Sequence, residues 1–246
     1  MWLDPFFSNK LAQDIVATSL TFLLSLLWLR LMDALAHRGL ITAQLSRKII
    51  HIGTGPLFLV CWHLFSSQPW ARFLAALVPL AITAQFVAVG LGLLHDPAAV
   101  QAMTRTGDPR EILRGPLYYG LVFVAATLIF WRSSPAGVVA LMLLCGGDGF
   151  ADIVGRRWGR ARLPFNPTKS WAGSLGMALG GFAFALAFLL LSNALGDFNP
   201  PLALVPTILA TALIALVATV VEALPLGEVD NLTIAAVGAL LGLVLL

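Results

Sequence analysis

Long apolar runs broken at intervals by short polar segments set the rhythm of the chain. Runs without period-2 alternation read as helices, and those near 20 residues read as membrane spans, because a bilayer core demands about 17–25. Eight such stretches are predicted, at residues 15–36, 49–65, 70–94, 116–131, 135–154, 171–195, 201–221 and 231–246, the second and fourth being the shortest. Pro116, Pro135 and Pro201 stand where helices are expected to begin, which suits proline in a first helical turn. No internal repeat or low-complexity linker divides the pattern. The expectation is an all-α, polytopic membrane helical bundle of about eight transmembrane helices, forming a single membrane-embedded domain over residues 1–246.

Composition strengthens this reading. Of 246 residues, 59% are hydrophobic and only 11% charged, whereas a soluble domain is usually about a quarter charged. The lipid bilayer is therefore the first partner, and no nucleic-acid partner is expected. The 22 glycines can let helices approach closely. Cys61 and Cys145 lie in separate apolar runs and read as small hydrophobes. The opening "MWLDPFFSNK" has neither the basic start of a cleaved signal nor the character of an organellar transit peptide. A bacterial membrane, a cyanobacterial one included, is the resulting expectation. The pattern does not specify an oligomeric state.

Charge then orients the spans. Three connections are basic: 37–48 with Arg38, Arg47 and Lys48; 95–115 with Arg105, Arg110 and Arg114; and 155–170 with Arg156, Arg157, Arg160, Arg162 and Lys169. They alternate with connections holding Arg72 alone, Arg132 alone, and no cation in 196–200. The positive-inside rule places the basic connections in the cytoplasm and both termini on the other side. The connection "EALPLGEVD" at 222–230 has three acids and no cation, so alternation alone assigns its side.

The fifth span and the connection after it carry the clearest candidate chemistry: "CGGDGFADIVGRRWGRARLPFNPTKSWAG" at 145–173. Asp148, Ala151, Asp152, Gly155 and Arg156 fall at i, i+3, i+4, i+7 and i+8, one stripe of a helix. Asp148 would sit roughly 9 Å inside the predicted end of its span, at 1.5 Å per residue. Ionised carboxylates there need a partner. Arginines within the bundle are one answer. A hard divalent cation such as Mg²⁺, which takes one or two carboxylates and phosphate oxygens, is another. Ser170 is placed to cap the sixth span, and a helix start beside Lys169 offers N–H groups to an anion. Together these features describe a polyphosphate site at a membrane surface. They do not form a Walker A loop, because no glycine stands at the required spacing before Lys169.

"GDGFADIVGRRWG…LPFNPTKSWAGS" resembles the polyprenol kinase family, which includes phytol, farnesol and dolichol kinases, and more distantly the CDP-diacylglycerol synthases. Asp148, Ala151, Gly155, Arg156, Lys169, Ser170 and Gly173 fill the positions that carry the likeness. "RKIIH" at 47–51, with Arg47, Lys48 and His51, is similar to another element of phytol-kinase-like chains, as is "RGPLYYG" at 114–120, with Arg114 and Tyr118. "DNLT" at 230–233 resembles a further element that usually carries two acids before the asparagine, where this chain has Val229 and Asp230. His37 and His63 match nothing and read as structural.

The resemblance implies a membrane-embedded kinase that moves the γ-phosphate of CTP, or another nucleoside triphosphate, onto a long-chain isoprenoid alcohol, phytol above all. Asp148 and Asp152 would hold Mg²⁺, or one of them would take the alcohol proton. Arg156, Lys169 and Ser170 would meet phosphate oxygens. Arg47, Lys48, Asp230 and Asn231 would complete the nucleotide site, with His51, Arg114, Tyr118 and Glu222 in the substrate pocket. Two rival functions remain: a phosphatidate cytidylyltransferase like the CDP-diacylglycerol synthases, and a small transporter, since acids within spans often mark ion paths.

Overall fold

The computed structural model describes residues 1–246, apart from the side chain of Glu228. The chain forms two compact units, Met1–Leu128 and Ile129–Leu246. Both are helical, and among the described residues six helical stretches are long and apolar enough to cross a bilayer: Lys10–His37, Ala71–Gly90, Pro109–Ile129, Pro135–Trp158, Trp171–Ala194 and Leu204–Ala223. The other two predicted spans are also helices but fall short of that standard. One carries Arg47 and Lys48 in its early turns, and the other, Asp230–Leu245, has 16 residues, about 24 Å at 1.5 Å per residue.

The first unit begins with α1 (Lys10–His37), whose N-cap Asn9 accepts backbone N–H groups from Leu11 and Ala12 at 3.0 and 3.2 Å. The helix starts earlier than residue 15 because the polar residues in its first turns are satisfied inside the unit. The buried Asp14 carboxylate accepts the Ser66 N–H at 2.7 Å and the Ser66 hydroxyl at 2.9 Å. The Gln13 amide donates to the Leu64 carbonyl at 3.3 Å. Leu23 and Leu27 point outward, where lipid tails would lie. Helices α2 (Ala43–Cys61) and α3 (Ala71–Gly90) pack against α1. The long connection 95–115 holds a short helix, α4 (Pro97–Met103), and a 3₁₀ turn over Pro109–Leu113 before α5 (Gly115–Ile129). Phe58, Leu59, Trp62, Phe65, Ile112 and Phe123 fill the core.

In the second unit the predicted fifth span is a composite. Helix α6 (Pro135–Met142) passes through a π-helical turn, Leu143–Gly147, into α7 (Asp148–Trp158). Residues 136–147 are all buried, and α6 packs against α8 (Trp171–Ala194) and α10 (Asp230–Leu245). Small residues let α7 and α8 touch along their backbones. A Cβ on Gly155 would lie 3.3 Å from the Gly173 Cα, and one on Gly176 would come within 2.8 Å of the Phe150 carbonyl oxygen. Between these helices the basic connection folds into an antiparallel hairpin, β1 (Arg162–Leu163) and β2 (Asn166–Ser170).

The last long helix, α9 (Leu204–Ala223), starts three residues after the predicted 201. Pro201 therefore precedes the helix rather than opening it. Asn193 holds Leu202 in an extended approach, accepting its N–H at 2.8 Å and donating to its carbonyl at 3.1 Å. The shift also carries Glu222 into the final turn of α9.

Candidate functional site

Four elements of the second unit bring acids and one lysine together. Asp148 opens α7 directly after the π turn, a distortion frequently found at functional sites that resets the phase of the residues that follow. Lys169 lies on β2. Glu222 comes from the last turn of α9, and Asp230 from the first residue of α10. The Lys169 ammonium donates to Glu222 Oε1 and, at 2.8 Å, to Asp230 Oδ2. Asp148 is close enough for its charge to act on Glu222. Asp152, one turn further along the same face of α7, accepts a hydrogen bond from Arg156 Nε at 2.9 Å.

The electrostatics of this cluster are unbalanced. The Glu222 side chain is 3% exposed, and Lys169 and Asp230 are 24% and 19% exposed. Burial works against the charge on Lys169, but Glu222, with Asp230, outweighs it and pushes the lysine above its ordinary pKa. One ammonium is shared by two carboxylates. Glu222 Oε2 and Asp230 Oδ1 are both buried and have no hydrogen-bond partner. Buried acceptors of this kind are costly, and a surplus of negative charge with open oxygens is the chemistry of a hard-cation site. Among the described residues no three His, Cys, Asp or Glu side chains form a ready cage. Mg²⁺ does not need one, since phosphate oxygens and water usually supply most of its ligands.

Other expectations change in detail. Ser170 caps α8 as the pattern suggests, its hydroxyl accepting the Gly173 N–H at 3.1 Å. Ser170 is buried, with its oxygen against the backbone at Gly155 and Gly173, and the Trp171 N–H is already bonded to the Ala161 carbonyl at 3.1 Å. Two of the N–H groups expected to face an anion are thus engaged. Asp230, the first residue of α10, makes no capping bond, and its carboxylate accepts from Lys169. Asn231 follows it, half-buried.

Arg47, Lys48, His51, Arg114 and Tyr118 belong to the first unit. Arg47 donates to the Thr104 carbonyl at 2.8 Å, which ties α2 to the end of α4, and Lys48 is buried. Arg114 is exposed at the end of the 3₁₀ turn. Tyr119, the neighbour of Tyr118, meets His51: its hydroxyl donates to the His51 carbonyl at 2.7 Å, and the two ring centroids lie 4.5 Å apart. Adjacent helical residues point about 100° apart, and the "YY" pair alone could not say which faces α2.

The chain resembles plant enzymes over most of its length. It is 48% identical over 207 residues to a rice protein (Oryza sativa subsp. japonica) named probable phytol kinase 1, chloroplastic, covering 83% of this chain and 65% of the rice protein. It is 38% identical over 239 residues to the chloroplastic farnesol kinase of Arabidopsis thaliana, covering 96% of this chain and 77% of that protein. Phytol kinase 1, chloroplastic, from the same plant is 38% identical over 229 residues, covering 92% and 75%. No family model and no solved structure matches the chain. These relatives overturn the expected bacterial membrane, since all of them are chloroplastic proteins of plants.

Proposed function

The chain belongs to the polyprenol kinase family, and on that premise we propose that it is a membrane-embedded kinase carrying the γ-phosphate of CTP, or another nucleoside triphosphate, to an isoprenoid alcohol, phytol foremost. The observation that carries this reading is Lys169 held between Glu222 and Asp230, with Asp148 beside them and two buried carboxylate oxygens open.

Phosphoryl transfer asks a protein mainly for positioning and charge compensation. An ammonium has three donors. Two of those on Lys169 are taken by carboxylates, and the third is left for a phosphate oxygen. Arg156 is exposed and can turn its guanidinium from Asp152 to a second phosphate. Asp148 and the open oxygens of Glu222 and Asp230 fit Mg²⁺, which would neutralise charge on the phosphates. Asp148 or Asp152 accepts the proton from the alcohol as its oxygen bonds to the γ-phosphorus and the bond to the β–γ bridging oxygen breaks, releasing the nucleoside diphosphate.

The test uses the purified protein with phytol, farnesol and phosphatidic acid, supplied with CTP labelled separately at the α or the γ phosphate. Gamma label in a prenyl phosphate is the expected result. Alpha label in lipid would mean a cytidylyltransferase, and no label in any lipid would refute enzyme action on these substrates.

A further inference from the structure

The hairpin that carries Lys169 has little of its own to hold it in place. A two-stranded ribbon is marginally stable alone, and most of this one is exposed. Its buried positions are Leu163, Asn166 and Ser170, Asn166 being 4% exposed at the start of β2. The Asn166 amide nitrogen donates to the carbonyl of Ala223 at 3.0 Å, 57 positions along the chain. Ala223 is the last residue of α9, and its carbonyl is one of those a helix end leaves without an intrahelical donor. On its other side, the Asn166 side-chain oxygen Oδ1 accepts the Thr168 N–H at 3.3 Å and the Thr168 hydroxyl at 2.7 Å. One side chain therefore shapes the strand and fastens it to the helix end.

The fastening lies next to the candidate site. Glu222, which holds Lys169, immediately precedes Ala223, which holds Asn166. The far end of β2 is fixed by Ser170, buried as the cap of α8. Lys169 thus lies on a strand pinned at both ends, and besides the Lys169–Glu222 pair itself the Asn166 bond ties that strand to α9. We propose that Asn166 is a positioning residue: by capping the end of α9 it sets the hairpin so that the Lys169 ammonium stands between Glu222 and Asp230. This rests on the reading of Lys169 as part of the phosphoryl-transfer site, but its geometry can be tested apart from turnover.

The chain has three lysines, Lys10, Lys48 and Lys169, so amine acylation is easy to follow residue by residue. A brief pulse of an acetyl N-hydroxysuccinimide ester on the detergent-purified protein, read by mass spectrometry, reports how tightly each amine is held. Alkylation of the Cys145 thiol, buried in the π turn of the same unit, reports general opening. Asn166→Asp keeps the acceptor that shapes the strand and removes the donor to Ala223. Asn166→Ser removes the reach without burying a charge. Thr168→Val is the control, since it alters the strand side alone.

Releasing an ammonium from two charge-assisted hydrogen bonds should speed Lys169 acylation about tenfold. That rise in either Asn166 variant, with Cys145 still protected and the Thr168→Val protein unchanged, supports the proposal. Turnover should fall ten- to a hundredfold, in kcat rather than in the KM for the alcohol, as misplacement of a catalytic group does. Lys169 acylation that stays at the wild-type rate in both Asn166 variants, or rises only together with Cys145 alkylation in both, overturns it. A Lys169→Ala protein with wild-type turnover would instead overturn the functional reading, leaving the acylation result to judge Asn166 alone.

Discussion

Replacing Lys169 with methionine tests the cluster most directly. The substitution preserves the bulk of the stem and removes the ammonium that two carboxylates share. Glu222 is nearly inaccessible, so its charge would be left buried with no cation against it. Removing one member of a buried ion pair typically costs 3–5 kcal/mol, and partial exposure of Lys169 and Asp230 lowers the expectation to about 3 kcal/mol. For a chain of this size that corresponds to a fall in Tm of roughly 6–12 °C. The assay is tryptophan-fluorescence melting in detergent with a chelator present, at one fixed scan rate, because membrane proteins often unfold irreversibly. The double variant Lys169→Met with Glu222→Gln removes the stranded charge and should recover about half of the loss, giving a coupling of about 1–2 kcal/mol in the double-mutant cycle. Returning Mg²⁺ should raise the Tm of Lys169→Met more than that of the wild type, since a divalent cation can take the place of the ammonium. A Lys169→Met protein melting within about 2 °C of wild type, or strict additivity in the cycle, would refute the reasoning, because either result means that Glu222 is not held by Lys169.

The pH dependence has a definite sign. The folded pKa of Lys169 is raised, so its stabilising contribution is complete below the unfolded value of about 10.4 and is lost as pH rises through the folded value. The difference in Tm between wild type and Lys169→Met should therefore stay constant from neutral pH to about 9.5 and shrink only above about 10.5. Asp148→Asn should abolish turnover while melting as a folded protein; near-wild-type turnover would remove Asp148 from the site. Asp14→Ala should leave the Ser66 N–H and hydroxyl without their buried acceptor, at about 1–3 kcal/mol. Melting should record that loss while kcat stays at the wild-type level, and a collapse of kcat with unchanged melting would contradict a purely structural Asp14.

What could be read in the sequence was what depends on neighbours along the chain. Apolar runs located the six helical stretches that are long and apolar enough to cross a bilayer, because run length and helix length are the same quantity. Ser170 was recognisable as a cap because a serine before an apolar run satisfies N–H groups only a turn away. The failures share another cause. The π turn at Leu143–Gly147 leaves no mark in the apolar pattern, since every residue around it is buried whatever the helical pitch. The hairpin escaped notice because "RLPFNPTKS" does not alternate, and the force that orders it comes from Ala223, far along the chain. Pro201 signalled a helix start, but Asn193 holds the next residue extended and delays the helix to Leu204.

The candidate site shows the same division. Asp148, Lys169, Glu222 and Asp230 could each be chosen from the sequence, yet the union of Lys169 with acids 53 and 61 residues away could not. That union also explains a charge pattern that was anomalous when each connection was counted alone. The segment 222–230 has three acids and no cation, while 155–170 has five cations. Folding places Lys169 of the basic segment against Glu222 and Asp230 of the acidic one. The two connections are thus complementary parts of one site. The acidic segment draws on its neighbour for one positive charge, and the two carboxylate oxygens that this charge leaves unmet are where a second cation has a physical reason to bind.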